Sequence, residues 1–163
     1  MKVSFVAGFG PIVRDPAASR EWWQQVLGMD LGEIAPDYYG TNDVEGVKAF
    51  AAWPLAQAAE NTFGVPEWPA DLPVPQAWIE LDVESAEAVA AAAQELAAKG
   101  HRLLREPREE EWKQTTARLQ SPEGLLVGIS FTPWMHGEGD PLEGWHGLAS
   151  PGQFQQCPPS PNP

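Results

Sequence analysis

Apolar and polar residues alternate strictly along Ala77-Trp78-Ile79-Glu80-Leu81-Asp82-Val83. A period of two marks a strand with two unlike faces. Ile79, Leu81 and Val83 share one face; Trp78, Glu80 and Asp82 share the other. The period then changes. Ser85 offers an N-cap oxygen, and Val89, Ala92, Ala93 and Leu96 recur at helical spacing, so a helix is expected over 86–99 with Gly100 as its left-handed C-cap. Strands follow at 101–105, 113–120 and 125–131. A charged loop at 106–111 separates the first two, and the turn Ser121-Pro122-Glu123-Gly124 separates the last two. The order of this half is β-α-β-β-β.

The first half carries the same order. A strand spans 3–13, and Asp15-Pro16 opens a helix with Asp15 as N-cap and Pro16 at the first helical position. Trp22, Trp23, Val26 and Leu27 supply its apolar side, and Gly28 ends it. A short strand is expected at 29–34, and residues 37–42 read equally as strand or loop. Glu45-Gly46-Val47 echoes Glu123-Gly124-Leu125, and Pro54 closes a strand as Pro133 does later. Residues 54–64 suit a short helix, and Pro66, Pro69, Pro73 and Pro75 hold the chain extended after it. The organisation expected is an α+β domain over 1–135. Two βαβββ units, 1–53 and 75–133, are joined by a crossover at 54–74 and form curved mixed or antiparallel sheets around a cavity. A Gly/Pro-rich tail spans 136–163.

The turn phrase Ser121-Pro122-Glu123-Gly124-Leu125 before the last strand, repeated in register as Glu45-Gly46-Val47, resembles the vicinal-oxygen-chelate superfamily, the glyoxalase/bleomycin-resistance/dioxygenase proteins. The segment Asp15 to Leu31 is similar to the family's opening phrase, and Trp112 falls at its loop Trp, with Lys113 where Gly is usual. The resemblance implies a divalent metal held by His, Glu or Gln from the first and last strand of each unit. Those positions fall here at Gly8, at Phe50 (or Ala49), at Trp78 (or Gln76) and at Gly128. Only Gln76 offers a side-chain lone pair, so no metal and no other cofactor is expected. The resemblance also implies a homodimer, unless the repeat closes within one chain.

Charge and composition narrow the partners. A formal charge of −13 on 163 residues argues against nucleic acid, because phosphate binding needs clustered Lys and Arg. No apolar run approaches the roughly 20 residues of a membrane span, no signal peptide is evident, and the single Cys157 precludes an internal disulfide, all of which fits the cytoplasm. His136 and His146, among Glu138, Asp140 and Glu143, have metal-binding chemistry without a metal-binding spacing. Cys157, among prolines, lacks a basic neighbour to activate it.

An aromatic, acidic concavity remains. Trp78 and Glu80 face it from one strand. Phe50 is expected to share that face in the first unit, with Trp112 and Arg118 completing the ligand-binding set. A buried Glu80 needs a partner, and Arg118 is the nearest cation by topology. Three functions compete. One is a metal-free small-molecule binder, similar to the bleomycin-resistance branch, that holds an aromatic or cationic ligand. Another is a lyase, isomerase or dioxygenase-type enzyme with Glu80 as its catalytic base or with a metal site in another register. The third is an interaction protein whose cavity is filled by its own side chains.

Overall fold

A computed structural model of the chain describes residues 1–110 and 112–138. The expected tail, with His146 and Cys157, lies outside the described residues apart from its first three positions. The first unit runs β1 (Phe5–Val13), α1 (Pro16–Glu21), a π-helical turn (Trp22–Val26), β2 (Gly32–Ala35), β3 (Tyr38–Thr41) and β4 (Ala49–Pro54). The helix α2 (Leu55–Phe63) opens the crossover. The second unit runs β5 (Ala77–Asp82), α3 (Ala86–Ala98), β6 (Leu103–Glu109), β7 (Thr115–Gln120) and β8 (Leu126–Phe131), and a 3-10 turn follows at Pro133–His136.

The local signals act as their chemistry dictates. Asp15 Oδ1 accepts from the Ala18 amide at 3.0 Å, and Ser85 Oγ from the Ala88 amide at 3.2 Å, so each cap satisfies an amide with no helical partner. Gly100 and Gly124 sit at φ +84° and +88°, where a side chain is strained. Two expectations need correction. Residues 106–109 are not loop: β6 continues through Glu109, which turns the charged run into a strand with two faces. And the apolar side of the first helix is not packed. The helix relaxes into a π turn, Trp23 meets Phe50 of the sheet, and Trp22 and Val26 remain 48% and 65% exposed.

The eight strands form one sheet in the order β2-β3-β4-β1-β5-β8-β7-β6. The two units meet edge to edge where β1 runs antiparallel to β5, within one chain. Across this seam Gly8 pairs with Glu80 and Gly10 with Trp78; with the helix caps Asp15 and Ser85 taken as equivalent, Gly8 is the counterpart of Trp78 and Gly10 the counterpart of Glu80. One face of the second unit packs on α3 through Val83, Val89, Ala92, Ala93, Ala117 and Ile129. The other face carries a second core of Ile12, Ile34, Trp53, Trp78 and Leu126, backed by Ala58 of α2. A cavity opens beside that second core.

Candidate functional site

The cavity has a volume of about 130 Å³. The first unit gives it Ala7, Gly8, Ile34, Tyr38, Ala49 and Trp53, with no charged side chain. Its charge comes from the second unit, through Glu80 and Arg118, with Trp78, Gln114 and Thr132 beside them. Gln57 and Asn61 of α2, Trp112 of the β6–β7 loop, and Trp134 and Met135 of the 3-10 turn complete the lining.

Trp78, Glu80, Trp112 and Arg118 thus line one cavity, the first two and Arg118 from the inward faces of their strands and Trp112 from its loop. Phe50 does not. The register Phe9↔Phe50 and Gly8↔Ala49 turns Ala49 inward and Phe50 outward, where its ring stacks edge-on against Trp23 at 5.0 Å. A slip of one residue inverts a strand's faces, and counting from Gly46 produces that slip. The aromatic wall of the first unit is instead Trp53, which meets Trp78 edge-on at 5.7 Å and lies under the Arg118 guanidinium at 5.5 Å.

The residues at the family's metal positions do not fit a metal. The seam register and the equivalent caps make Gly8 and Trp78 counterparts. Glu80 pairs with Gly128 on β8, and the same step on the other side of the seam leads from Gly10 to Ala51. Gly8, Ala51, Trp78 and Gly128 carry no donor side chain. The space near the two glycines is filled by protein: a Cβ on Gly8 would lie 2.5 Å from the Trp78 ring, and one on Gly128 would overlap the Glu80 carboxylate. Trp78 is anchored through its indole N–H to the Ala51 carbonyl at 3.1 Å. Among the described residues no group of three His, Cys, Asp or Glu is placed to hold an ion.

The charged groups are arranged differently from the expected Glu80–Arg118 pair. Arg118, 1% exposed, donates through Nη1 to Glu110 Oε1 at 3.0 Å and to the Asn61 carbonyl at 3.2 Å. Glu110 is as deeply buried and takes a second cation, Arg108, at 2.6 Å. Glu80 stands 3.9 Å from Arg118 Nη2, outside hydrogen-bond reach, and its Oε2 has no hydrogen-bond partner among the described residues. Burial pushes the Glu80 carboxyl up to about 7, against the pull of Arg118 and of the Ser130 hydroxyl. Burial, and then the charge of Glu80, also raise the Tyr38 phenol. Sequence reasoning missed Glu110. Its signal lay in the run Arg108-Glu109-Glu110: continued as a strand opposite β7, the run puts Arg108 and Glu110 on the face of Thr116 and Arg118.

Asp82, third on the inward face of β5, does not line the cavity. It accepts from the Thr132 amide at 3.1 Å and meets His136 Nε2 at 2.5 Å. Burial raises its carboxyl, and the His136 hydrogen bond opposes that rise. His136 is therefore held at the sheet between Phe5 and Phe131 and takes no part in a metal cluster among the described residues. At the rim, Lys113 occupies φ +67°, which accounts for the glycine usual there in the resembled family.

Comparison with known structures agrees with this architecture. A glyoxalase/bleomycin resistance protein/dioxygenase superfamily member from Vibrio splendidus 12B01 superposes with a TM-score of 0.50 at 19% identity, over 77% of this chain and 97% of its own. A single-residue variant of Streptomyces coelicolor methylmalonyl-CoA epimerase, in complex with 2-nitronate-propionyl-CoA, gives 0.52 at 20% identity, over 80% and 99%. A Legionella pneumophila protein described as an NAD-dependent benzaldehyde dehydrogenase gives 0.54 at 16% identity, over 77% and 97%. At such identities the likeness is one of fold. No protein of curated function matches the sequence significantly. The sequence itself matches the family described as Glyoxalase/Bleomycin resistance protein/Dioxygenase superfamily over residues 9–129. With strands, seam and sequence in agreement over most of its length, the chain belongs to the glyoxalase/bleomycin resistance protein/dioxygenase superfamily.

Proposed function

We propose that this chain is a metal-free binder of a small aromatic cation. The observation that carries the reading is Glu80: a carboxylate with an unpartnered oxygen, lining a cavity walled by Trp53, Trp78, Trp112 and Trp134. Arg118 is committed to Glu110, so the charge of Glu80 lacks a neutralising partner within hydrogen-bond reach. A cation above indole faces, beside a carboxylate, is stabilised by both. The size limits the guest. An apolar cavity of about 150 Å³ holds benzene, so about 130 Å³ takes no more than one small ring, which must carry the charge itself.

The test is a tryptophan fluorescence titration with 4-aminopyridinium, a single cationic ring with N–H donors, repeated with its neutral isostere aniline. Glu80→Gln is expected to weaken the cation by about 1–3 kcal/mol, the worth of an interaction with a charged group, and to leave the neutral compound unchanged. The cation binds the ionised carboxylate, so its affinity falls as pH drops below about 7, by up to about tenfold per unit. Equal affinities for wild type and Glu80→Gln would sink the proposal. A homodimer in the cytoplasm remains part of it. The β1–β5 seam closes within one chain, so a partner is not needed to complete the cavity, and β2 and β6 remain as the sheet edges a partner could cover.

One observation favours a second reading. A carboxyl raised to about 7 in a cavity is poised as a general base. Glu80 would then abstract a proton from a bound carbon acid, as in an isomerase or lyase. Deuterium uptake from D2O into such a ligand, abolished by Glu80→Gln, separates this from simple binding.

A further inference from the structure

Resting on the ligand-cavity reading above, we propose that Asp82 and His136 are positioning residues: they latch the 3-10 turn Pro133–His136 against the sheet, so that Trp134 and Met135 wall the cavity. Neither residue lines the cavity, yet the hydrogen bonds that tie both ends of the turn to the sheet pass through them. The turn leaves the end of β8 and carries two lining side chains, Trp134 and Met135. Its backbone hydrogen bonds are local. The Met135 amide donates to the Thr132 carbonyl at 2.9 Å, the Gly137 amide to Trp134 at 3.2 Å and the Glu138 amide to Pro133 at 3.0 Å. Four residues in one 3-10 turn do not hold a fixed position by backbone bonding alone.

Asp82 supplies the tether at both ends of the turn. Its Oδ2 takes the Thr132 amide immediately before the turn, and its Oδ1 takes His136 Nε2 in the last position. The carboxylate is wholly buried and lies at the end of β5, whose backbone is fixed by β1 and β8 on either side. Phe5 and Phe131 stand 5.2 and 4.9 Å from the imidazole, ring centre to ring centre, and confine it. A single buried acceptor thereby spans the turn.

The tether also reaches the opposite rim. Thr132 Oγ1 accepts from Gln114 Nε2 at 3.2 Å, and Gln114 Oε1 accepts from the Trp112 indole N–H at 2.9 Å. Trp112, Gln114, Thr132, Asp82 and His136 thus form one connected series. It joins the β6–β7 loop to the 3-10 turn, and each of those two segments carries a half-buried Trp of the cavity wall. Thr132 holds both bonds, one through its backbone N–H and one through Oγ1, so displacing it by loosening the Asp82 end also loosens the Trp112 end.

The experiment reads the wall directly, by amide hydrogen exchange of the whole chain without ligand. Asp82→Asn cannot accept from Thr132 and His136 at once through both terminal atoms, and His136→Ala removes one end of the latch. Both are expected to speed exchange at 132–138 by about tenfold or more. A smaller acceleration is expected at 112–114, while α3 keeps its wild-type protection. His136→Gln, which can still offer an N–H to Asp82, should restore most of the protection. Unchanged exchange at 132–138 would overturn the latch. So would an acceleration shared equally by α3, because the pair would then be an ordinary part of the core, and so would a His136→Gln variant no better than His136→Ala. 4-Aminopyridinium forms the second arm. It should slow exchange at 132–138 in the wild type and bind His136→Ala at least about fivefold more weakly. If the probe fails to bind wild type while the ligand-free pattern appears as stated, the binding proposal falls and the latch stands.

Discussion

The two βαβββ units follow one plan, and the protein has put them to different uses. On the inner face, the first unit contributes small or apolar side chains and a single phenol to the cavity, whereas the second contributes every charge. Symmetry across the seam makes the contrast sharp, since the counterpart of Glu80 is Gly10. On the outer face, α3 buries Val89, Ala92 and Ala93 against its three strands, while α1 breaks into a π turn and leaves Trp22, Val26 and Leu27 exposed. A backbone repeat therefore preserves geometry without preserving chemistry. The second unit has become the polar, fully packed half, and the first a wall for it.

If that is so, the largest effect should follow from breaking the second unit's buried ion pair. Arg118→Met leaves Glu110 buried with only the half-exposed Arg108, and removes the guanidinium from the Trp53 face. Loss of one partner of a buried pair costs about 3–5 kcal/mol, to be read from urea unfolding. Tyr38→Phe in the first unit should cost about 1 kcal/mol or less, since its hydroxyl makes no hydrogen bond among the described residues. Similar costs for the two would dissolve the contrast on the inner face.

A second, somewhat smaller effect concerns pH. Glu80 titrates at about 7 in the folded chain, well above its ordinary value of 4.5. Between those values the folded state holds the proton that the unfolded state has released, so stability falls as pH rises. The stabilisation is complete below about 4.5 and lost through about 7. It amounts to roughly 3 kcal/mol at 1.36 kcal/mol per unit. Glu80→Gln should flatten this part of the stability–pH curve and be the more stable protein at pH 8, as followed by the denaturation midpoint at fixed ionic strength. Asp82, also raised, contributes in the same direction and keeps a shallower slope in the variant. A wild-type curve flat from pH 4.5 to 8 would show that Glu80 is already ionised and paired.

The sequence made legible whatever depends on neighbours along the chain. The alternation of β5, the Asp15 and Ser85 caps and the turn before β8 all follow from spacing within a few residues, and all are where spacing puts them. What depends on register between strands was not legible. Phe50 falls on the wrong face when counted from the turn, because one extra residue between Gly46 and β4 inverts the count. Glu110 was hidden in a run of charges that resembles a solvated tip, although the alternation of Arg108 and Glu110 was there to be extended from β6. The Asp82–His136 contact joins residues far apart in sequence, and only the packing of the turn after β8 brings them together.

The smallest effect tests the outer face. Val26 and Val89 are both valines of the helical segments of the two units, 65% exposed in one and wholly buried in the other. Truncating Val89 to Ala removes two methyl groups from contact with the sheet and leaves a void beneath α3. The burial of a valine side chain is worth about 1.5–3 kcal/mol, and the loss should fall in that range. Val26 has almost no such contact to lose. Val26→Lys places a charge in water at a position where the helix has already abandoned regular geometry, and its cost should stay within about 0.5 kcal/mol. Thermal and urea unfolding of both variants at micromolar protein provide the comparison. Protein concentration provides the control, because a twofold partner seated on Trp22, Val26 and Leu27 would make the Val26→Lys midpoint drop and would lower the sedimentation coefficient. A Val26→Lys loss as large as that of Val89→Ala would mean that both helices are packed in solution. The asymmetry between the units would then be confined to the cavity.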